Sequence, residues 1–180
     1  MTLRVALLIA MVWLSAGCNG VFIRARQQSS STQPASYRAA PGSTRDPLAA
    51  MARKIFDKAN RQRRLHAVGQ LEWNDAVAGQ ARIASMRMMD GGFFSHVNPE
   101  RGALAKRLNA AAIRWTLCGE NIFREHGMED PADAAIEGWM KSPAHRQSLL
   151  EPAFTQTGVG IAISPDTEYF ITQIFICPPR

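Results

Sequence analysis

The chain has 180 residues, 46% of them hydrophobic, which is enough for one domain with a proper core and excludes a disordered polypeptide. Its formal charge of +6 suggests nucleic acid or membrane, but five arginines at positions 4, 24, 26, 38 and 45 lie in a stretch without a single acidic residue. From Asp46 onward the chain is nearly neutral, so it has no basic face of the kind a nucleic-acid-binding domain needs.

In chain order, Arg4 precedes an apolar run over 5–14, too short to span a bilayer as a stable helix and shaped like the core of an export signal. Ser15-Ala16-Gly17-Cys18 follows and resembles a bacterial lipobox, in which the cysteine receives acyl chains such as palmitate and becomes the new N-terminus. Ser15 stands where the lipobox usually has an aliphatic residue. The readings are therefore a lipoprotein signal peptide over 1–17, an ordinary signal peptide cleaved nearby, or a short uncleaved anchor. With Cys18 lipidated, Cys118 and Cys177 remain in an oxidising compartment, either as a disulfide or as two buried thiols. Residues 18–45 are rich in Ser, Gln and Ala without apolar periodicity. They read as a disordered tether to a membrane, whose arginines either meet anionic headgroups or merely keep it soluble.

The domain, 46–180, opens at Asp46-Pro47, a capping residue before a proline at the first helical position. Leu48, Met51, Ala52, Ile55, Phe56 and Ala59 make one apolar stripe, with Arg53, Lys54, Lys58 and Arg61 on the other side. A second helix is predicted over 74–90, with Met86 and Met88 as core filling and Gly91-Gly92 as its end. The cap-plus-proline signal recurs at Asn98-Pro99, Asp130-Pro131 and Ser142-Pro143, each predicting a short helix. Residues 158–164 and 169–176 read as a hairpin around Pro165-Asp166-Thr167-Glu168, the second strand apolar on both faces and so central in a covered sheet. Helices first and a two-sided strand last indicate an α+β fold with helices sandwiching a sheet.

Four segments carry candidate chemistry: Phe93-Phe94-Ser95-His96; Gly119-Glu120-Asn121-Ile122; Trp139-Met140-Lys141-Ser142-Pro143-Ala144-His145-Arg146; and Gly158-Val159-Gly160 with Gln173-Ile174-Phe175. In this order, with Leu71-Glu72-Trp73 before the second helix, they resemble the bacterial branch of the CAP superfamily of cysteine-rich secretory, antigen 5 and pathogenesis-related proteins. The resemblance covers about 50–178. It implies an α–β–α three-layer sandwich with a central, mainly antiparallel sheet, and a cavity lined by His96, His145 and Glu120. Where many members have a second glutamate this chain has Ser142. Arg107 falls where bacterial relatives often have an arginine, although the glycine usual soon after it is missing.

Physically, Ser142 as cap and Pro143 as first helical residue place His145 at the third position, where the helix dipole favours neutral imidazole, the form a metal requires. His96, His145 and Glu120 would give three zinc ligands and one open position, the pattern of a catalytic site. The alternative is a hydrogen-bonded network including Ser142 and Gln173 that holds the helices on the sheet. His66 and His126 have no such context and read as solvated. Nucleophilic catalysis has little support: Ser142 is explained as a cap, Ser95 merely adjoins His96, and G-x-S-x-G, H-E-x-x-H and phosphate-loop patterns are absent. The expected protein is an extracytoplasmic, lipid-anchored envelope protein, without a nucleic-acid partner, that binds a lipid, a peptidoglycan component or a protein. The other expectation is a zinc-dependent hydrolase using the His-Glu-His cavity.

Overall fold

The structure, a computed structural model, describes residues 46–180 and the strand Val21–Arg24. The expected signal peptide, Cys18 and most of the expected tether lie outside the described residues. After β1 (Val21–Arg24) come α1 (Pro47–Leu65), β2 (Glu72–Trp73), α2 (Asp75–Asp90), α3 (Leu104–Ala110), β3 (Leu117–His126), α4 (Pro131–Lys141), α5 (Pro143–Leu150), β4 (Gln156–Ile163) and β5 (Glu168–Cys177). No helix among the described residues is long and apolar enough to cross a membrane.

The helix starts follow local capping chemistry. The Asp46 side chain accepts from Leu48 N at 3.0 Å, Asn74 from Val77 N at 3.1 Å and Asp130 from Asp133 N at 3.2 Å. Ser142 holds the cap position of α5 in extended conformation, though its side chain makes no capping hydrogen bond. Asn98-Pro99 does not begin a helix. The Asn98 carboxamide oxygen accepts from Glu100 N and Arg101 N at 2.9 and 2.8 Å, closing a turn that pairs back at Gly102, and α3 starts at Leu104. An Asx turn and a helix cap use the same acceptor, so the local signal alone does not separate them.

Among the described residues the strands form one five-stranded sheet in the order β1-β3-β5-β4-β2. It is mixed: β2 runs parallel to β4 and the other pairs are antiparallel. β5 is central, with Ile171, Ile174 and Phe175 fully buried, as its two-sided apolar pattern demands. Alternation along the strands sends Leu117, Val159, Ile161, Ile171 and Phe175 to one core, with Ile55 and Ala59 of α1, Trp139 of α4 and Leu149 of α5. Cys118, Ile174 and Ile176 go to the other, with Val77 and Ala81 of α2 and Leu104 and Leu108 of α3. This is the expected α–β–α sandwich. β1 corrects the reading of 18–45 as disordered throughout, because Val21–Arg24 pairs antiparallel with Leu117–Glu120. The apolar triplet Val21-Phe22-Ile23 finds ladder partners on a strand that would otherwise be an edge.

Of the two readings of these cysteines, a disulfide or two buried thiols, the structure has thiols: Cys118 is buried, Cys177 half-buried, and both are free. Register is the reason. Cys118 lies opposite Ile176 while Cys177 lies opposite Leu117, a one-residue offset that sends the two side chains to opposite faces. Burial, then Glu120, pushes the Cys118 thiol from the ordinary 9.0 up to about 12. The folded protein should therefore resist alkylation at Cys118 at pH 8 while Cys177 reacts, and denaturant should make both react, as peptide mass mapping will show. Raised in the folded state, this group also makes stability fall as pH climbs above 9.0, because the unfolded thiol ionises first.

Candidate functional site

Three elements on the α2–α3 side of the sheet converge on one carboxyl group. Glu120 points from β3 into that layer, buried at 1% exposure. His96, from the loop after α2, places Nδ1 3.0 Å from Glu120 Oε1. Arg107, on α3, donates through Nη2 to Glu120 Oε2 at 2.6 Å. His96 Nε2 is buried and has no hydrogen-bond partner. Arg107 Nε is likewise buried without a partner. A buried ion pair of this geometry is costly to break, since either partner left alone is a desolvated charge.

His145 approaches from α5, with ring centroids 6.5 Å apart from His96 and an interplanar angle of 46°. Its backbone carbonyl accepts from Asn121 Nδ2 at 3.0 Å, tying α5 to β3. One of the five expected cavity residues, Gln173, turns away from Glu120. Gln173 lies opposite Asn121 in the ladder, one position from the residue opposite Glu120, so it leaves by the other face, where its Nε2 donates to Thr157 Oγ1 at 3.2 Å. Ser142 stays at the junction of α4 and α5.

The expected ligand set of His96, His145 and Glu120 is not assembled. Among the described residues no group of three His, Cys, Asp or Glu side chains could hold a metal ion. Both Glu120 oxygens are engaged, one by His96 and one by a guanidinium whose positive charge opposes a cation there. The void beside them, lined by Met88, Ser95, His96, Arg107, Glu120 and Ile122, holds about 10 Å³, room for one water at most. What the cluster does chemically is orient His96 and fasten α3 to the sheet. The sequence pointed to Arg107 by position, and Glu120 as its partner emerges only from the fold.

Next to this cluster, and sharing Arg107, Phe93 and Asn98 with it, is a groove of about 990 Å³ between α2, the 98–102 turn and α3. Met86, read as core from its helical spacing, is 40% exposed and lines this groove. His66 and His126 are exposed, as expected.

Comparison with known proteins agrees with this architecture. The model of the cysteine-rich secretory protein family, CAP, matches residues 56–177. The chain is 36% identical over 124 residues to the membrane protein YlbC of Bacillus subtilis (strain 168), a match covering 69% of this chain and 34% of that one. An extracellular protein containing an SCP domain, from Bacillus anthracis str. Ames, shares the fold with a TM-score of 0.64 at 33% identity, over 77% of this chain and 45% of that one. An outer surface protein of Borrelia burgdorferi gives a TM-score of 0.67 at 14% identity, over 74% of this chain and 97% of its own, a likeness of fold alone. This chain thus spans about a third of YlbC and under half of the B. anthracis protein. With the family match extending over most of the domain, the chain belongs to the cysteine-rich secretory protein (CAP) family.

Proposed function

We propose that this chain is an extracytoplasmic, lipid-anchored CAP protein that works by binding, with a lipid or cell-wall component held in the groove between α2 and α3. The observation that carries this reading is the groove itself. Its volume, about 990 Å³, stands at the upper end of small-molecule sites, and its walls mix apolar Ile83, Met86 and Phe93 with charges of both signs, Arg101 and Lys106 beside Asp90 and an Arg87–Glu100 ion pair. Supporting the location are the leader with Cys18 and the extracellular or membrane description of the relatives. Native mass spectrometry of the full chain isolated with its envelope tests it. We expect a bound small molecule that is absent from Ala110→Trp, in which an exposed groove residue becomes a bulky plug. A bare protein in both cases, after incubation with envelope lipids and wall fragments, would remove the reading.

Metal-assisted hydrolysis has one observation in its favour, the unpartnered Nε2 of a histidine oriented by a carboxylate, as metal-binding imidazoles commonly are. Stoichiometric zinc that disappears in both His96→Ala and His145→Ala, with folding retained, would establish that reading instead.

A further inference from the structure

We propose that β1 docks the anchored end of the chain along the edge of β3, so that the His96–Glu120–Arg107 cluster is held at the membrane surface rather than on a long leash. This rests on the proposed acylation of Cys18. The ladder places Val21 opposite Glu120, Ile23 opposite Cys118 and Arg24 opposite Leu117. Cys18 precedes Val21 by three positions, a reach of at most about 11 Å. A free segment over 19–45 would instead allow up to about 95 Å. The anchor is therefore tied to the one strand that carries Glu120, and the sheet edge on which β1 lies is the side turned to the bilayer.

Three further observations fit a bilayer as the partner of this edge. Arg24 and Arg26 follow the anchor closely and have no acidic neighbour in sequence, which suits anionic headgroups. Val97, adjacent to His96, is 55% exposed, so an apolar side chain stands out beside the cluster. Without β1, β3 would leave its outer row of N–H and C=O groups open, and an own-chain strand of Val-Phe-Ile-Arg closes part of it. The consequence is that a ligand reaching the cluster and its adjoining groove would come from the membrane surface.

The test uses the full acylated chain in vesicles of phosphatidylethanolamine and phosphatidylglycerol. Directly opposed pairs in an antiparallel ladder alternate between close and wide spacing, so one of two neighbouring pairs suits a disulfide. Ile23→Cys with native Cys118, or Arg24→Cys with Leu117→Cys in a Cys177→Ala background, is expected to crosslink; Arg24→Cys with native Cys118, one position out of register, is not. The second measurement is quenching of a fluorophore by headgroup-quencher lipids, with the label on Val97→Cys or on Glu72→Cys of β2, the opposite sheet edge. Val97 adjoins His96, which bonds Glu120 of β3, and β3 stands three strand spacings, about 14 Å, from β2, so the Val97 label should be quenched at least about twofold more strongly. Replacing 21–24 by Gly-Ser-Gly-Ser should abolish that difference. Failure of both in-register pairs to crosslink, equal quenching at the two labels, or a difference that survives the replacement each overturns the docking. An N-terminal peptide without acyl groups on Cys18 overturns the lipoprotein reading along with it, whereas acylation with equal quenching overturns the docking alone.

Discussion

Gly160→Ala is expected to destabilise the protein by about 4 kcal/mol, lowering Tm by about 15 °C, and Gly160→Val to prevent folding. A Cβ at Gly160 would lie 1.9 Å from Arg82 N and 2.3 Å from the Ala81 carbonyl carbon, and one at Gly158 would lie 2.1 Å from Ala78 N. These obstacles are helix backbone and cannot swing aside like a flexible side chain. The two glycines stand two apart on the face of β4 that meets α2, so together they form a flat track on which the helix backbone rests. Adding a methyl group to either would lift α2 from the sheet, along with the Ser85 hydroxyl that donates to Gly160 O at 3.0 Å. Gly79, within α2, is a control of opposite sign. It has nothing within 4 Å of an added Cβ, so Gly79→Ala should stabilise by about 0.5–1 kcal/mol through helix propensity. Thermal melts of the three variants decide the matter, and a loss at Gly160→Ala within ~0.5 kcal/mol, as for an ordinary surface change, would show that α2 does not rest on the strand as described.

Arg63→Met is expected to cost about 4 kcal/mol in denaturant unfolding with the m-value unchanged. Arg63 is fully buried on α1 and makes no carboxylate salt bridge among the described residues; burial lowers its pKa from the ordinary guanidinium value, opposed by the charge of Glu151. Its guanidinium is satisfied by backbone: Nε donates to Gly69 O at 2.6 Å, Nη1 to Leu149 O and Glu151 O at 3.0 Å each, and Nη2 to Phe154 O at 3.0 Å. Leu149 and Glu151 flank the C-terminal end of α5, where carbonyls lack helical partners and the dipole favours a positive charge. One side chain thus closes the end of α1, the end of α5 and the approach to β4. Methionine would fill much of the volume but leave the buried carbonyls of Leu149 and Phe154 and the partly buried ones of Gly69 and Glu151 without their donor. Arg63→Lys should recover less than half of the loss, because an ammonium lacks the planar fork that reaches all four. Near-wild-type stability in Arg63→Met would mean that those carbonyls find water and that the staple carries little.

Neither of these features is legible in the sequence. Gly158-Val159-Gly160 stood out as a motif, but its reason is the approach of a helix that comes from another part of the chain. Arg63 looks like one more cation near the polar side of an amphipathic helix until the 149–154 segment folds over it. β3 escaped a strand assignment for a similar reason: Leu117–His126 mixes buried Glu120 and Asn121 with apolar residues, and their burial makes sense only beside Arg107, His96 and α5. The distinction between Asn98 as a turn and Asn74 as a helix cap also depended on context, since both carboxamides accept from nearby backbone.

The sequence by itself determined what is local or periodic. Caps at Asp46 and Asp130, the stripe of α1, the hairpin of β4 and β5, and the central place of a strand apolar on both faces follow from hydrogen bonding within a few residues and from the periods of helix and strand. Spaced motifs also sufficed to indicate the family and its layered fold. Tertiary structure alone decided which face each strand residue took. A register offset of one residue separates Cys118 from Cys177 and Gln173 from Glu120, which decides for two thiols over a disulfide and leaves Gln173 on the face away from the His96–Glu120–Arg107 cluster. Register is set by pairing across the sheet between segments far apart in sequence, and a local pattern of residues cannot encode it unaided.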